Sequence, residues 1–201
     1  MPRMNEEILI ATKNEGKLKE FKNIFEKKGI KAKSLKDISS AINVVENGLT
    51  FEENARLKAE GYARNVGIPV LADDSGLQID ALNGRPGIFS ARYAGDHNDA
   101  ANNAKVLSEL GGIPNEKRTA NFHTTIVVRK PDGAELIANG DLKGRILSVP
   151  RGENGFGYDP LFFIDGRNKT LAEMTTDEKN EISHRALAIQ DLLNQFDAFW
   201  K

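Results

Sequence analysis

The sequence predicts an α/β protein built on a mixed β-sheet. In the first half of the chain, short apolar runs alternate with helical patterns, an order that favours parallel strands joined by helices. In the second half, two strand-like runs flank Pro131-Asp132-Gly133, a turn sequence that predicts an antiparallel hairpin. Because both patterns occur in one chain of 201 residues, we expect a mixed sheet and not a purely parallel one.

The first half follows a strand–helix order. Ile8–Ala11 is a short apolar run, and residues 16–29 then carry their apolar side chains on one helical face. Thr50 and Glu53 have the spacing of a capping box, which predicts the start of a second helix. The short apolar run Pro69–Ala72 follows that helix and predicts a buried strand.

The second half changes from a helical to a strand-like period. A helix is expected over residues 99–110, followed by the strands Ala120–Lys130 and Ala134–Asp141 of the hairpin. Leu161–Ile164 predicts one more strand. A C-terminal helix follows, with a buried face predicted at Leu187, Leu192, Phe196 and Phe199.

Composition excludes several kinds of chemistry. Hydrophobic residues make up 39% and charged residues 28%, which is typical of a soluble globular protein, and the net charge of −1 favours neither nucleic acid nor an anionic membrane as partner. The chain has no cysteine, and its three histidines are widely separated, so a metal ion here is expected to be a hard cation bound by oxygen, such as Mg²⁺. Without an apolar leader or a membrane-length segment, we expect a cytoplasmic protein.

The segment "ATKNEGK", residues 11–17, joins the first strand to the first helix. Such a junction directs backbone N–H groups and two lysine ammonium groups to one place, which suits a polyphosphate. The spacing is not that of a Walker A loop. A simple strand–helix turn with solvated lysines is the alternative explanation.

The segment "DDSG", Asp73–Gly76, follows the predicted buried strand and is expected to be a turn at its end. Two adjacent carboxylates repel each other unless a cation, a backbone donor or solvent offsets their charge. The segment is therefore typical either of a solvated turn or of a metal or catalytic site. Glu46 is a further acid upstream, but sequence spacing does not show whether it meets Asp74.

The segment "PRGENGFGYDP", residues 150–160, surrounds Phe156 and Tyr158 with three glycines. Glycine permits close backbone approach to a flat ligand, and an exposed aromatic ring offers a stacking face for a base. Packing of both rings in the core is the alternative explanation.

A fourth segment, "DEKNEISHRALA", places Lys179, His184 and Arg185 around the beginning of a helix. Cations at this end oppose the helix dipole, which favours an anionic or base-reading ligand over a purely stabilising role. Thr175 with Glu178 could form a capping box, and Ser183 could cap the following helix.

Together these segments resemble the inosine triphosphate pyrophosphatase family. The resemblance is carried, in family order and from about residue 8 to about residue 190, by "ATKNEGKLKEF", "GLTFEENARLKA", "LADDSGLQIDALNGRPGIFSARYAG", "PRGENGFGYDPLFF" and "EKNEISHRALA". It implies Mg²⁺-dependent hydrolysis of non-standard purine nucleoside triphosphates (ITP, dITP and XTP) to the monophosphate and pyrophosphate. This reaction would remove such nucleotides from the nucleotide pool. It also implies an elongated mixed sheet with flanking helices, two lobes around a central cleft in one domain over residues 1–201, and a homodimer.

The resemblance also assigns roles to residues. Asp74 matches the catalytic carboxylate and a metal ligand, and Glu46 matches a second metal ligand. Ser75 would contact the substrate. The residues expected to bind the triphosphate are Thr12, Lys13, Asn14, Glu15, Gly16 and Lys17. Those expected to form the base pocket and read the purine edge are Phe156, Gly157, Tyr158, Asp159, Lys179, His184 and Arg185, with Phe156 stacking on the base.

Three other functions use some of the same residues. A regulatory module would bind ITP or ATP through these loops without releasing pyrophosphate. An enzyme of related chemistry would prefer modified pyrimidine or ordinary triphosphates, which competition between ITP and dTTP would reveal. A nucleic-acid binder would stack bases on Phe156 and Tyr158, and its binding would fall steeply with salt.

Overall fold

A computed structural model describes residues 6–39 and 42–201. Its strands are β1 (Glu7–Ile10), β2 (Lys31–Ser34), β3 (Val70–Ile79), β4 (Thr119–Arg129), β5 (Glu135–Ile146), β6 (Phe162–Ile164) and β7 (Lys169–Thr170). Within the described residues they form one seven-stranded sheet in the order β2-β1-β3-β4-β5-β6-β7. Residues 1–5, on which the expectation of no leader partly rests, lie outside the described residues.

Strand directions confirm the predicted mixed sheet. β1 pairs in parallel with β2 and with β3, where Leu9 faces Val70. β5 pairs antiparallel with β6, and β6 with β7. β4 and β5 are joined by residues 130–134, a connection too short for a parallel crossover, so the predicted hairpin is also confirmed.

The helices begin and end close to their predicted positions. They are α1 (Glu15–Lys27), α2 (Phe51–Val66), α3 (Asp99–Glu109), α4 (Thr176–Ile182) and α5 (His184–Trp200). Thr50 Oγ1 accepts the Glu53 N–H at 3.1 Å, and Gly67 ends α2 in the left-handed region. Thr175 and Glu178 form the predicted capping box of α4. These ends are set by bonds between near neighbours in sequence, which is why the sequence could predict them.

The predicted turn at "DDSG" is wrong, because β3 continues through it. The strand runs on past Asp73 and Gly76, and the side chains of Leu77 and Ile79 beyond them are fully buried. Apolar residues on both sides of the polar segment therefore keep the backbone extended. Both aspartates consequently lie within a strand and not on a surface turn.

The chain divides into two compact units. The first contains the residues up to Asp74 together with Thr125–Ala138 and Ile189–Lys201, and the second contains Ser75–Thr124 and Asn139–Ala188. The first unit has an apolar cluster built on β1, α2 and the start of β3. The second unit has its own apolar cluster, which includes side chains of α3, β4 and β6. No helix in the described part of the chain is long and apolar enough to cross a membrane.

Candidate active site

The junction between β1 and α1 has the form of an anion-binding helix start. Asn14 is the N-cap residue: its Oδ1 accepts the Lys17 N–H at 3.0 Å, while its own N–H donates to Thr12 Oγ1 at 3.1 Å. Gly16 keeps this turn tight, since a Cβ there would lie 3.3 Å from Asn14 Oδ1. The backbone dipoles of the 13-residue helix α1 favour negative charge at this end.

Three acidic residues share two lysines in the first unit. Asp73 is buried, with 2% of its surface exposed, and its Oδ2 lies 2.5 Å from Lys17 Nζ. Lys58 Nζ donates to the backbone oxygen of Asp73 and lies 3.2 Å from Glu46 Oε1. Lys58 also interacts electrostatically with Asp74. The described structure therefore places Glu46 and Asp74 in one cluster, a proximity that the sequence could not establish.

The electrostatics of this cluster give Asp74 an unusual protonation range. Burial raises the pKa of Asp74 from 3.8 to about 6; the charges of Glu46 and Asp73 add to this effect, and Lys58 and a hydrogen bond from Asn54 oppose it. Burial lowers the pKa of Lys58, but the surrounding carboxylates more than offset burial, so this pKa lies above its ordinary value. Asp74 can therefore exchange a proton close to neutral pH, as a general base requires.

The loop that carries Glu46 is fixed to α2. Gly48 N–H donates to Asn54 Oδ1 at 2.9 Å, and Leu49 N–H donates to Glu53 Oε2 at 2.6 Å. Glu53 thus caps α2 together with Thr50, but it accepts the N–H of Leu49 and not that of Thr50. These bonds hold the Glu46 segment at the first turn of α2.

The same cluster offers ligands for a hard cation. Over residues 6–39 and 42–201, no group of three or more His, Asp or Glu side chains is arranged to hold a metal ion. Glu46 and Asp74 nevertheless supply carboxylate oxygens, the donors that Mg²⁺ prefers, and the charge of Glu46 raises the pKa of Asp74, an effect that a bound cation would offset. This donor set fits Mg²⁺ provided that other oxygens, such as those of a phosphate, complete the coordination.

A second group of predicted residues lies in the second unit, around the glycine-rich loop. Phe156 is 62% exposed, and Lys179 Nζ lies 4.8 Å from the centre of its ring. Asp159 is buried; it accepts the Phe156 N–H at 3.1 Å and pairs with Lys179. Gly155 has a φ of +76°, and a Cβ there would overlap the Asp159 carboxylate. The loop therefore presents an exposed aromatic ring with a lysine beside it.

The adjoining residues of this loop are held from behind. Asp99 Oδ2 accepts the Gly157 N–H and Asn103 Nδ2 donates to the Gly157 oxygen, each at 2.9 Å, so one face of α3 binds both polar groups of this residue. Tyr158 is buried, and its hydroxyl donates to Ser90 O at 2.6 Å. The Tyr158 ring is thus part of the core, and only its backbone remains for a base pocket.

His184 and Arg185 begin α5. Ser183 Oγ accepts the N–H three residues later at 3.1 Å, which is the N-cap expected from the sequence. The His184 ring stacks on Phe122, with 5.1 Å between centroids and 18° between planes, and its Nδ1 is hydrogen-bonded to Thr124 Oγ1. His184 is therefore held firmly in the second unit.

Comparison with known proteins identifies the family. The sequence profile of the Ham1 family matches residues 8–195. The chain belongs to the Ham1 family. It is 53% identical to a dITP/XTP pyrophosphatase of Lactiplantibacillus plantarum, with 96% of each chain covered, and 52% identical to one of Bacillus subtilis, covering 96% of this chain and 98% of that one. The solved structure of the Staphylococcus aureus Ham1 protein superposes with a TM-score of 0.90 at 43% identity, covering 97% of this chain and 100% of the other.

Sequence reasoning missed several residues around this Ham1-family site. The sequence predicts only that Lys58 and Asn54 belong to a helix, although they lie four residues apart and so share a face. Asp99 and Asn103 in α3 have the same spacing. The i, i+4 spacing of these polar residues was the available signal, but both helices carry many other polar residues, and the spacing does not say what each one contacts.

Glu15 is paired with a lysine outside the predicted phosphate-binding segment. Its carboxylate pairs with Lys36 at 2.6 Å, a surface ion pair. Lys13 is exposed, and Ser75 is partly buried in β3 directly after Asp74. The roles expected of these three residues in substrate binding stay predictions.

Proposed function

We propose that this chain hydrolyses the non-standard purine nucleoside triphosphates ITP, dITP and XTP to the monophosphate and pyrophosphate. The observation that carries the proposal is Asp74, a carboxylate with a pKa raised to about 6, in a cluster with Lys58 and Glu46. The dITP/XTP pyrophosphatases with more than half of their residues identical support the same reaction.

The triphosphate is bound by the start of α1. Asn14 fixes the first turn of this helix, and the helix dipole attracts phosphate oxygens. The ammonium groups of Lys13 and Lys17 offset the remaining charge, with the hydroxyl of Thr12 and the backbone of Gly16 completing the contacts. Lys17 already pairs with Asp73, which holds its ammonium group in place without using its full hydrogen-bonding capacity.

Asp74 takes the proton of the attacking water. The water oxygen forms a bond to the α-phosphorus while the bond from that phosphorus to the α–β bridging oxygen breaks, so that pyrophosphate leaves with the bonding electrons. Lys58 holds the carboxylate cluster together and limits the repulsion between Asp74 and Glu46. Ser75, the next residue of β3, contacts the substrate.

Asp74 and Glu46 are the residues that would hold Mg²⁺. A bound Mg²⁺ neutralises phosphate charge and favours departure of pyrophosphate. The charge of Glu46 raises the pKa of Asp74, so a cation beside Asp74 would favour its ionised form.

The residues of the second unit recognise the base. Phe156 offers its exposed ring for stacking, with Gly157, Tyr158 and Asp159 shaping the loop around it. Lys179, His184 and Arg185 read the edge of the purine. A 6-keto purine presents an acceptor where adenine presents an amino donor, so donors at this edge select the non-standard bases.

The test is incubation of the purified chain with Mg²⁺ and, separately, ITP, XTP, ATP and dTTP, with phosphate assayed in the presence and absence of inorganic pyrophosphatase. Phosphate that requires the coupling enzyme, mainly from ITP and XTP, is the expected result. Phosphate released directly would mean cleavage at the γ-phosphorus and would refute the mechanism. Binding of ITP without any release would favour the regulatory module.

We also propose that residues 1–201 act as one catalytic domain, that the protein is a homodimer and that it works in the cytoplasm, where the free nucleotide pool lies. A single cooperative unfolding transition is expected for one domain. Sedimentation equilibrium of the purified chain measures the number of subunits, and a monomer at micromolar concentration would contradict the dimer.

A further inference from the structure

The partner of His184 in β4 is a buried threonine. Thr124 is 1% exposed, and its Oγ1 is hydrogen-bonded to Nδ1 of the His184 ring. The ring also stacks on Phe122, two residues earlier in β4 and on the same face of the strand. The ring plane and one of its two nitrogens are thus both fixed by β4.

The direction of this hydrogen bond follows from the burial of the hydroxyl. A buried O–H that donates to no acceptor is unfavourable, because nothing compensates for the loss of its hydrogen bond to water. Within residues 6–39 and 42–201, the Thr124 hydroxyl forms its hydrogen bond with His184 Nδ1. The hydroxyl therefore donates, and Nδ1 accepts.

A nitrogen of imidazole accepts a hydrogen bond only when it carries no proton. With Nδ1 as acceptor, the neutral ring bears its proton on Nε2, and the doubly protonated ring is disfavoured. His184 consequently presents an N–H donor at Nε2. The opposite tautomer would present an acceptor there.

We propose that Thr124 is a positioning residue for base selection, which holds His184 as the Nε2–H tautomer so that it donates to the 6-keto oxygen of the purine. The effect on base selection rests on the proposed function, whereas the tautomer itself does not. The tautomer decides which base is accepted: an Nε2–H donor matches the 6-keto oxygen, whereas an unprotonated Nε2 would match the 6-amino group of adenine. Selection is thereby determined by a residue that does not contact the base.

The first test is the tautomer itself, measured without any nucleotide. The chain has only three histidines, so ¹⁵N–¹H correlation spectra of the imidazole side chains can be assigned with the variants His97→Gln and His123→Gln. The expected spectrum at pH 8 shows His184 protonated at Nε2, with Nδ1 accepting a hydrogen bond. A His184 ring protonated at Nδ1, or at both nitrogens, would overturn the inference whether or not the chain is a pyrophosphatase.

A matched pair of variants tests the role of the hydroxyl. Thr124→Ser keeps the O–H group, and we expect the wild-type spectrum. Thr124→Val keeps the shape but removes the donor, and we expect the Nδ1–H form of His184 to gain population. A valine variant with an unchanged His184 spectrum would refute the role of Thr124. Should the valine variant fail to fold, the wild-type and serine spectra still decide the direction of the bond.

The consequence for selection is measured as the ratio of kcat/KM for ITP to kcat/KM for ATP. In Thr124→Val the ratio should fall between about two-fold and about ten-fold, the effect of one neutral hydrogen bond. In Thr124→Ser it should stay close to the wild-type value. An unchanged ratio in the valine variant overturns the inference. Absence of turnover in the wild type would contradict the proposed function alone, because the spectra report the tautomer independently.

Discussion

Asp74→Asn should abolish most turnover and at the same time stabilise the metal-free protein. Asparagine resembles the protonated carboxyl group. The protonated form of Asp74 is favoured more in the folded than in the unfolded chain, because burial and the neighbouring acids raise the pKa of Asp74 from 3.8 to about 6. The substitution therefore removes a charge that folding must desolvate. Gain of stability with loss of activity is the pattern expected of a residue kept for catalysis.

The magnitude follows from the same shift. One pKa unit corresponds to about 1.4 kcal/mol, so ionised Asp74 lowers the free energy of unfolding by about 3 kcal/mol once the pH is above 6. Between pH 3.8 and about 6 the native state binds more protons than the unfolded state, so wild-type stability falls as the pH rises through this window. The advantage of the variant should be about 3 kcal/mol at pH 8 and close to zero below pH 3.8.

The assay is urea unfolding of both proteins with EDTA at pH 8 and at pH 4. Asp73→Asn is the matched comparison: it breaks the buried ion pair with Lys17, so it should lower stability, by about 3 kcal/mol. Asp96→Asn, at an exposed position, should change stability by less than about 0.5 kcal/mol. An Asp74→Asn protein no more stable than wild type at pH 8, or one with near-normal kcat, would refute the reasoning.

Three further predictions concern the neighbouring residues. Lys58→Met removes the cation shared by the carboxylates, so kcat should fall at least about ten-fold. Because Lys58 lowers the pKa of Asp74, the acid limb of the pH–rate profile should move to higher pH in this variant, as measured from pH 5 to 9. Asn103→Ala leaves the Gly157 oxygen without its donor, and KM for ITP should rise about two- to ten-fold with kcat near normal in steady-state kinetics. Gly155→Ala introduces a Cβ against the Asp159 carboxylate at a positive φ. Urea unfolding should show that the free energy of unfolding falls by more than about 1 kcal/mol. An unchanged value would mean that the loop adapts to the new side chain.

Local signals in the sequence were sufficient for the element ends and for much of the chemistry. Thr50 and Thr175 each cap a helix by bonding a backbone N–H three residues later, so their effect could be predicted from spacing alone. The apolar period of residues 99–110 puts Val106 and Leu110 on the inner face of the expected helix, and both side chains are fully buried in the structure. The ordered segments also identified the family, because each motif is a short local unit.

What the sequence alone determined was therefore the helices, the hairpin, the family and the residue types of the candidate site; the tertiary structure decided what those residues contact. It extended β3 through Asp73, because buried residues beyond the polar segment hold the strand straight. It brought Lys17 to Asp73 across 56 positions and Thr124 to His184 across 60. Such contacts depend on how strands pair and helices pack, and a short-range pattern carries no information about a partner that distant in the chain.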